Sequence, residues 1–88
     1  MYSLKFNKET SAYATGKEET DLMYLKIQKS NFQAVFRLRG YIYINCIYEQ
    51  LGINWDPKQL NMCYIRNGKE EFIFDICILD DGFEVHIM

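Results

Sequence analysis

No apolar run in this 88-residue chain approaches the ~20 residues that a membrane-crossing helix needs, and the N-terminus has no signal-peptide h-region. A cytoplasmic protein with no membrane partner is therefore expected. Histidine occurs once, and cysteine three times at Cys46, Cys63 and Cys77, with no CxxC pair. That odd number argues for free thiols in a reducing compartment and lacks the paired close ligands of a zinc finger or ribbon. The expectation is buried apolar thiols, no metal and no cofactor. The five glycines stand singly, at 16, 40, 52, 68 and 82, so there is no Gly-rich phosphate loop. Neither charge sign dominates: ten basic residues face twelve acidic ones. A pI near 5.3 disfavours general binding to nucleic acid or membrane surfaces.

What the chain does have is apolar and aromatic mass. The hydrophobic set makes up 49% of it, and seven Tyr, six Phe and one Trp account for 16%. With 25% charged residues this excludes a disordered chain. The length allows one domain, 1–88, with a core that buries only about 60–65% of the unfolded surface. Aromatics offset small size by burying ~150–250 Å² each. Seven tyrosines exceed what such a core holds, so at least two are expected at the surface. Charge is uneven: residues 1–40 carry net +3 and residues 41–88 net −5.

The C-terminal part, 60–88, is the most legible. Segments 60–66, 69–79 and 83–88 are rich in aromatic and branched residues and are separated by Asn67-Gly68 and Asp81-Gly82, preferred pairs for two-residue type I′ turns. They predict a three-stranded antiparallel meander with Cys77 opposite His86 and Ile78 opposite Val85. One face collects Cys63, Ile65, Phe72, Phe74, Ile76, Ile78, Phe83, Val85 and Ile87 as the core side. The other is mixed, with Leu60, Met62, Tyr64, Ile73, Asp75, Cys77, Leu79, Glu84, His86 and Met88. Upstream, Asp56-Pro57 starts a short helical turn. Asn45 is placed to cap a helix Cys46–Leu51 that Gly52 stops, and Ser30 to cap one at Asn31–Arg39 that Gly40 ends. Residues 1–28 are the least regular. Tyr2–Phe6 alternates like an additional N-terminal strand, 7–20 read as loop, and Leu22–Gln28 fits either a strand or the start of a longer helix. The predicted class is α+β, a small single domain with the meander packed against two or three short helices.

The stretch from Gly40 through Tyr41, Ile42, Tyr43, Ile44, Asn45 and Cys46 to Tyr48, Glu49, Leu51 and Gly52 resembles a pattern in small proteins of phages and conjugative elements of Gram-positive bacteria. In those, a helix ends at Gly, a short extended run reaches a capping Asn, and a helix with Tyr-acid-x-Leu-Gly follows. Where they often carry an acid after the Asn, this chain has Cys46. The resemblance implies a mobile-element setting and no particular activity.

Catalysis is not expected. Asp75, Cys77 and His86 supply the parts of a nucleophilic site, but a small sheet offers neither an oxyanion hole nor a cleft in any obvious way. The leading expectation is a non-enzymatic binding or inhibitory protein, in its most concrete form an inhibitor of a host defence nuclease of the anti-CRISPR kind. Its carboxylates would compete for a basic groove on a larger protein. The candidate contact residues are Asp80, Asp81 and Glu84, with Glu70 and Glu71 at the far end of the strand about 33 Å away. Trp55 and Tyr64 join them as candidate aromatic anchors, though a Trp folded over the core to seal it is the favoured account of Trp55. The alternatives are a homo-oligomeric structural or assembly protein, using the mixed sheet face or edge strand 83–88, and a nucleic-acid-binding accessory protein using Lys26, Lys29, Arg37 and Arg39, which the overall charge disfavours.

Overall fold

Between Gly16 and Gly40 the chain has neither glycine nor proline, and nearly all of it forms one helix. In the computed structural model, which describes residues 2–54, 64–66 and 73–87, α1 spans Glu18–Arg39, 22 residues. Asp21, Leu25, Phe32 and Phe36 are its buried positions, spaced as one helical stripe. Ser30 lies exposed in mid-helix instead of capping a second one. The capping signal is overridden because nothing in Leu22–Lys29 breaks a helix, and extending an existing helix is far easier than nucleating a new one. Gly40 ends it as expected, left-handed at φ 78°, its N–H bonded to the Phe36 carbonyl at 2.8 Å. Acidic Glu18 and Glu19 in the first turn and Arg37 and Arg39 in the last match the helix dipole.

After α1 come β2 (Tyr41–Tyr43) and α2 (Ile44–Gln50). Tyr43, in extended conformation, precedes α2, so that helix starts before Asn45 and Asn45 is not its cap. The earlier start buries Ile44 and Ile47 together on one side. Gly52 closes the region at φ 69°, donating to the Glu49 carbonyl at 3.0 Å.

The main sheet is three-stranded and antiparallel, as expected, but its membership differs from the local meander. It consists of β1 (Tyr2–Phe6), β4 (Phe74–Leu79) and β5 (Gly82–Ile87), in the order β1-β5-β4. The remaining strand, β3 (Tyr64–Arg66), pairs with β2 in a separate two-stranded sheet, Tyr43 opposite Tyr64. Strand 83–88 is therefore no edge: β1 flanks it on one side and β4 on the other, with Leu4 opposite Val85 and Phe6 opposite Phe83. Loop-closure entropy explains why so distant a partner is affordable. From a two-residue turn to the loop of roughly 76 residues between Phe6 and Phe83 is about five doublings, or ~3 kcal/mol. Fully burying Leu4 and Phe6 offsets that with about 3–6 kcal/mol.

The β4–β5 hairpin keeps a two-residue turn, but one residue earlier than the Asp-Gly pair suggests. Leu79 pairs with Gly82, so Asp80 and Asp81 form the turn, and Cys77 faces Glu84 while Asp75 faces His86. Gly82 is needed elsewhere: at φ 142°, a Cβ on it would lie 2.7 Å from both the Phe6 carbonyl oxygen and the Asn7 Cβ. The changed register keeps each side chain on its expected face, since the displacement is by two residues. Phe74, Phe83, Val85 and Ile87 are buried on the inner face. Ile76 is half-buried there, and Ile78, near the turn of the outermost strand, is 58% exposed.

Helix α1 lies over that inner face, with the Phe32 and Phe74 rings 5.6 Å apart and Tyr24 stacked on Phe6 at 5.8 Å. Ile42, Ile44, Ile47 and Leu51 complete the core. Both described cysteines, Cys46 and Cys77, are exposed rather than buried; each sits on the polar side of an element whose neighbouring residues fill the core. Cys63, the Asn67-Gly68 turn and the helical turn expected at Asp56-Pro57 lie outside the described residues. Among the described residues no helix is long and apolar enough to cross a membrane.

Candidate functional site

The β1–β5 pairing brings three distant segments to one end of the molecule. Asn7–Glu9 follow β1, Gly16–Asp21 lead into α1, and Leu79–Phe83 form the hairpin turn; together they line an open cleft of about 490 Å³. Its rim carries Glu9, Glu18, Asp80 and Asp81, all exposed, with Lys8 as the described cation among them.

Each wall is held by local chemistry. The Asn7 carboxamide oxygen accepts from the N–H groups of Glu9 at 2.9 Å and Thr10 at 3.0 Å, while the Thr10 hydroxyl donates to the Lys5 carbonyl at 2.8 Å. This fixes where Glu9 projects. On the opposite wall Lys17 precedes α1 without a side-chain cap. Asp21, one turn in, reaches back instead: its buried carboxylate accepts from the Thr15 N–H at 2.9 Å, the Thr15 hydroxyl at 2.7 Å and the Gly16 N–H at 3.1 Å. A buried carboxylate with three donors is satisfied. The loop is further tied down where the Ser11 hydroxyl donates to the Leu51 carbonyl at 2.5 Å and Ala12 N–H to the Gly52 carbonyl at 3.0 Å. The charged rim thus stands on an anchored frame.

Of the sequence-predicted contact residues, Asp80 and Asp81 sit on this rim. Glu84 does not: it lies half-buried on the outer face of the sheet, beside Lys5 on β1 and Cys77 on β4. There its Oε1 meets His86 Nε2 at 2.5 Å. The imidazole is engaged by Glu84 two residues away on the same strand, and the Cys77 thiol stands opposite the carboxylate, not opposite the ring. Among the described residues no three His, Cys, Asp or Glu side chains are placed to hold a metal ion. Tyr64 lies in β3. Trp55, Glu70, Glu71, Met62 and Met88 lie outside the described residues. Among the described residues two tyrosines reach the surface, Tyr13 at 54% and Tyr43 at 37% exposure.

Glu9 and Glu18 were not legible as site residues, because only the long-range pairing of β1 with β5 brings them to the turn. The basic set is on α1: Lys26, Arg37 and Arg39 are exposed and Lys29 is half-buried. Arg37 and Arg39 stand at the end of the helix away from the cleft, about 30 Å along its axis.

Two phenols respond to their surroundings. Burial, and secondarily the neighbouring Tyr13, push the Tyr24 pKa up. Its hydroxyl donates to the Gln50 carbonyl, joining α1 to the end of α2. Burial also raises Tyr48.

Comparison with family models, with curated proteins and with solved structures gives no match for this chain.

Proposed function

We propose that this chain is a small binding protein that presents the acidic rim of the turn cleft to a basic surface of a larger protein, without chemistry of its own. The observation that carries the reading is the convergence of Glu9, Glu18, Asp80 and Asp81 around one anchored cleft. Four carboxylates on a rigid frame lose little conformational freedom on binding, and a protruding turn can enter a groove that a flat sheet cannot. Such a surface accelerates encounter with a cationic partner and can occupy a site that otherwise holds nucleic-acid phosphates. Inhibition of a host defence nuclease by a phage or mobile-element protein, in the bacterial cytoplasm, is the most concrete form of this role.

The test is capture from a Gram-positive bacterial lysate with two baits, the native chain and the Asp80→Asn/Asp81→Asn variant, at low and high salt. A partner held by the native bait at low salt and released by either salt or the variant is expected. A partner held equally by both baits would overturn the proposal, as would recovery of no specific protein.

A further inference from the structure

We infer that the protein pairs with a second copy of itself through the outer face of α1, the two helices running antiparallel. This stands independently of the acidic cleft. At ~100° per residue, Met23, Ile27, Ser30, Ala34 and Leu38 fall within an arc of about 80°, on the side of the helix opposite Leu25, Phe32 and Phe36 in the core. Met23 is 65% exposed, Ile27 52% and Leu38 87%. A helix apolar on two opposed faces has a second surface to cover.

The occupant is identified by how well this face matches itself. Met23, Ile27, Ser30 and Ala34 are spaced by four, three and four, as in the seam of a coiled coil, and Leu38 follows four residues on at its edge. The N-terminal half carries the large side chains, Met23 and Ile27, and the C-terminal half the small ones, Ser30 and Ala34. An antiparallel partner in the seam register sets Met23 against Ala34 of the second copy and Ile27 against its Ser30, large into small at both levels. A parallel partner would oppose Ile27 to Ile27 and leave Ser30 and Ala34 facing each other across a gap.

Charge selects the same arrangement. Glu19, Lys26 and Arg37, all exposed, lie on one flank of the stripe, Glu19 and Arg37 near opposite ends of α1 and Lys26 between them. The other flank carries uncharged Thr20 and Asn31. Two-fold rotation turns like flank toward like flank, so Glu19 comes level with Arg37 of the second copy, twice by symmetry. In the parallel arrangement the two-fold sets unlike flanks together, so Glu19 and Arg37 would each face the uncharged flank of the second copy and gain no partner. The helix dipoles also oppose favourably when antiparallel. A pair of helices about 33 Å long buries on the order of 1,000 Å² in total, the lower edge for a specific interface. The dimer is accordingly concentration-dependent, in the micromolar range.

Sedimentation velocity over a concentration series tests this, with circular dichroism confirming that each variant is folded. The native chain should shift from monomer to dimer. Ile27→Asp should abolish the shift. Glu19→Arg alone, or Arg37→Glu alone, should weaken association by roughly tenfold, as two symmetry-related pairs turn repulsive. The double exchange Glu19→Arg/Arg37→Glu should restore it to near the native value. A native chain that stays monomeric at the highest attainable concentration overturns the inference, even if Ile27→Asp then blocks capture of some other protein. So does a dimer indifferent to Ile27→Asp, or single charge variants that the double exchange does not rescue.

Discussion

Gly82 approaches the end of β1 so closely that a Cβ there would stand 2.7 Å from the Phe6 carbonyl oxygen. Its φ of 142° is itself a conformation that side chains disfavour. Gly82→Ala therefore suffers backbone strain and a backbone clash together, and the clash is with a carbonyl that cannot swing aside. A loss of about 2–4 kcal/mol is expected in urea unfolding. Since Gly82 also positions the turn, the variant should lose cleft geometry along with stability. A change within experimental error would mean that the strands part easily here.

Asp21 closes the other wall of the cleft. Removing its carboxylate leaves the Thr15 and Gly16 N–H groups without their acceptor, so Asp21→Ala should destabilise by about 2–3 kcal/mol. Asp21→Asn keeps one acceptor oxygen and should fall between that and the native chain. Thr15→Ala, which removes the hydroxyl donor alone, should lose only about 1 kcal/mol. The order of the three unfolding midpoints is the check; Asp21→Ala no worse than Thr15→Ala would refute the anchoring role.

The raised pKa of Tyr24 sets a direction for stability at high pH. The folded state holds the phenolic proton more tightly than the unfolded chain, whose tyrosines titrate near 10.0. Stability from the neutral phenol is thus complete below that value and is lost as pH rises through the folded pKa. Thermal melts across the alkaline range should show this decline. Tyr24→Phe should reduce its slope without abolishing it, because Tyr48 titrates in the same direction. An unchanged slope in Tyr24→Phe would contradict the assignment.

Cys77 is exposed, and the His86 ring beside it is taken by Glu84. It should react with a small electrophile at a rate comparable to exposed Cys46, and His86→Ala should leave that rate unchanged. An accelerated rate that depends on His86 would reopen nucleophilic chemistry on this face.

Features fixed by local conformational needs were legible in the chain: Gly40 ending a helix, the parity of β4 and β5, and the polar loop read over 7–20, of which 18–20 instead open α1. The single α1 was not, because the Ser30 and Gln33 capping pattern states what a helix start would use, not whether the preceding residues are already helical. Tyr2–Phe6 was legible as a strand, but its place beside β5 was not, for a related reason. Asn-Gly and Asp-Gly turns mark which neighbours close with little loss of entropy, whereas Leu4 and Phe6 gain their place through burial that only the assembled core provides. Half of the charged rim, Glu9 and Glu18, inherits that non-locality. Asp80 and Asp81 could be picked from the sequence because they belong to the turn itself.

The central claim is that the turn cleft is where a cationic partner lands. Amide chemical-shift mapping during titration with a lysine-rich peptide tests it most directly, since the peptide stands in for a basic surface of known chemistry. The expected result is a salt-sensitive set of shifts confined to Asn7–Glu9, Thr15–Glu18 and Leu79–Gly82, lost in Asp80→Asn/Asp81→Asn. Shifts centred on Glu84 and the outer sheet face, or retained in full by the variant, would contradict it.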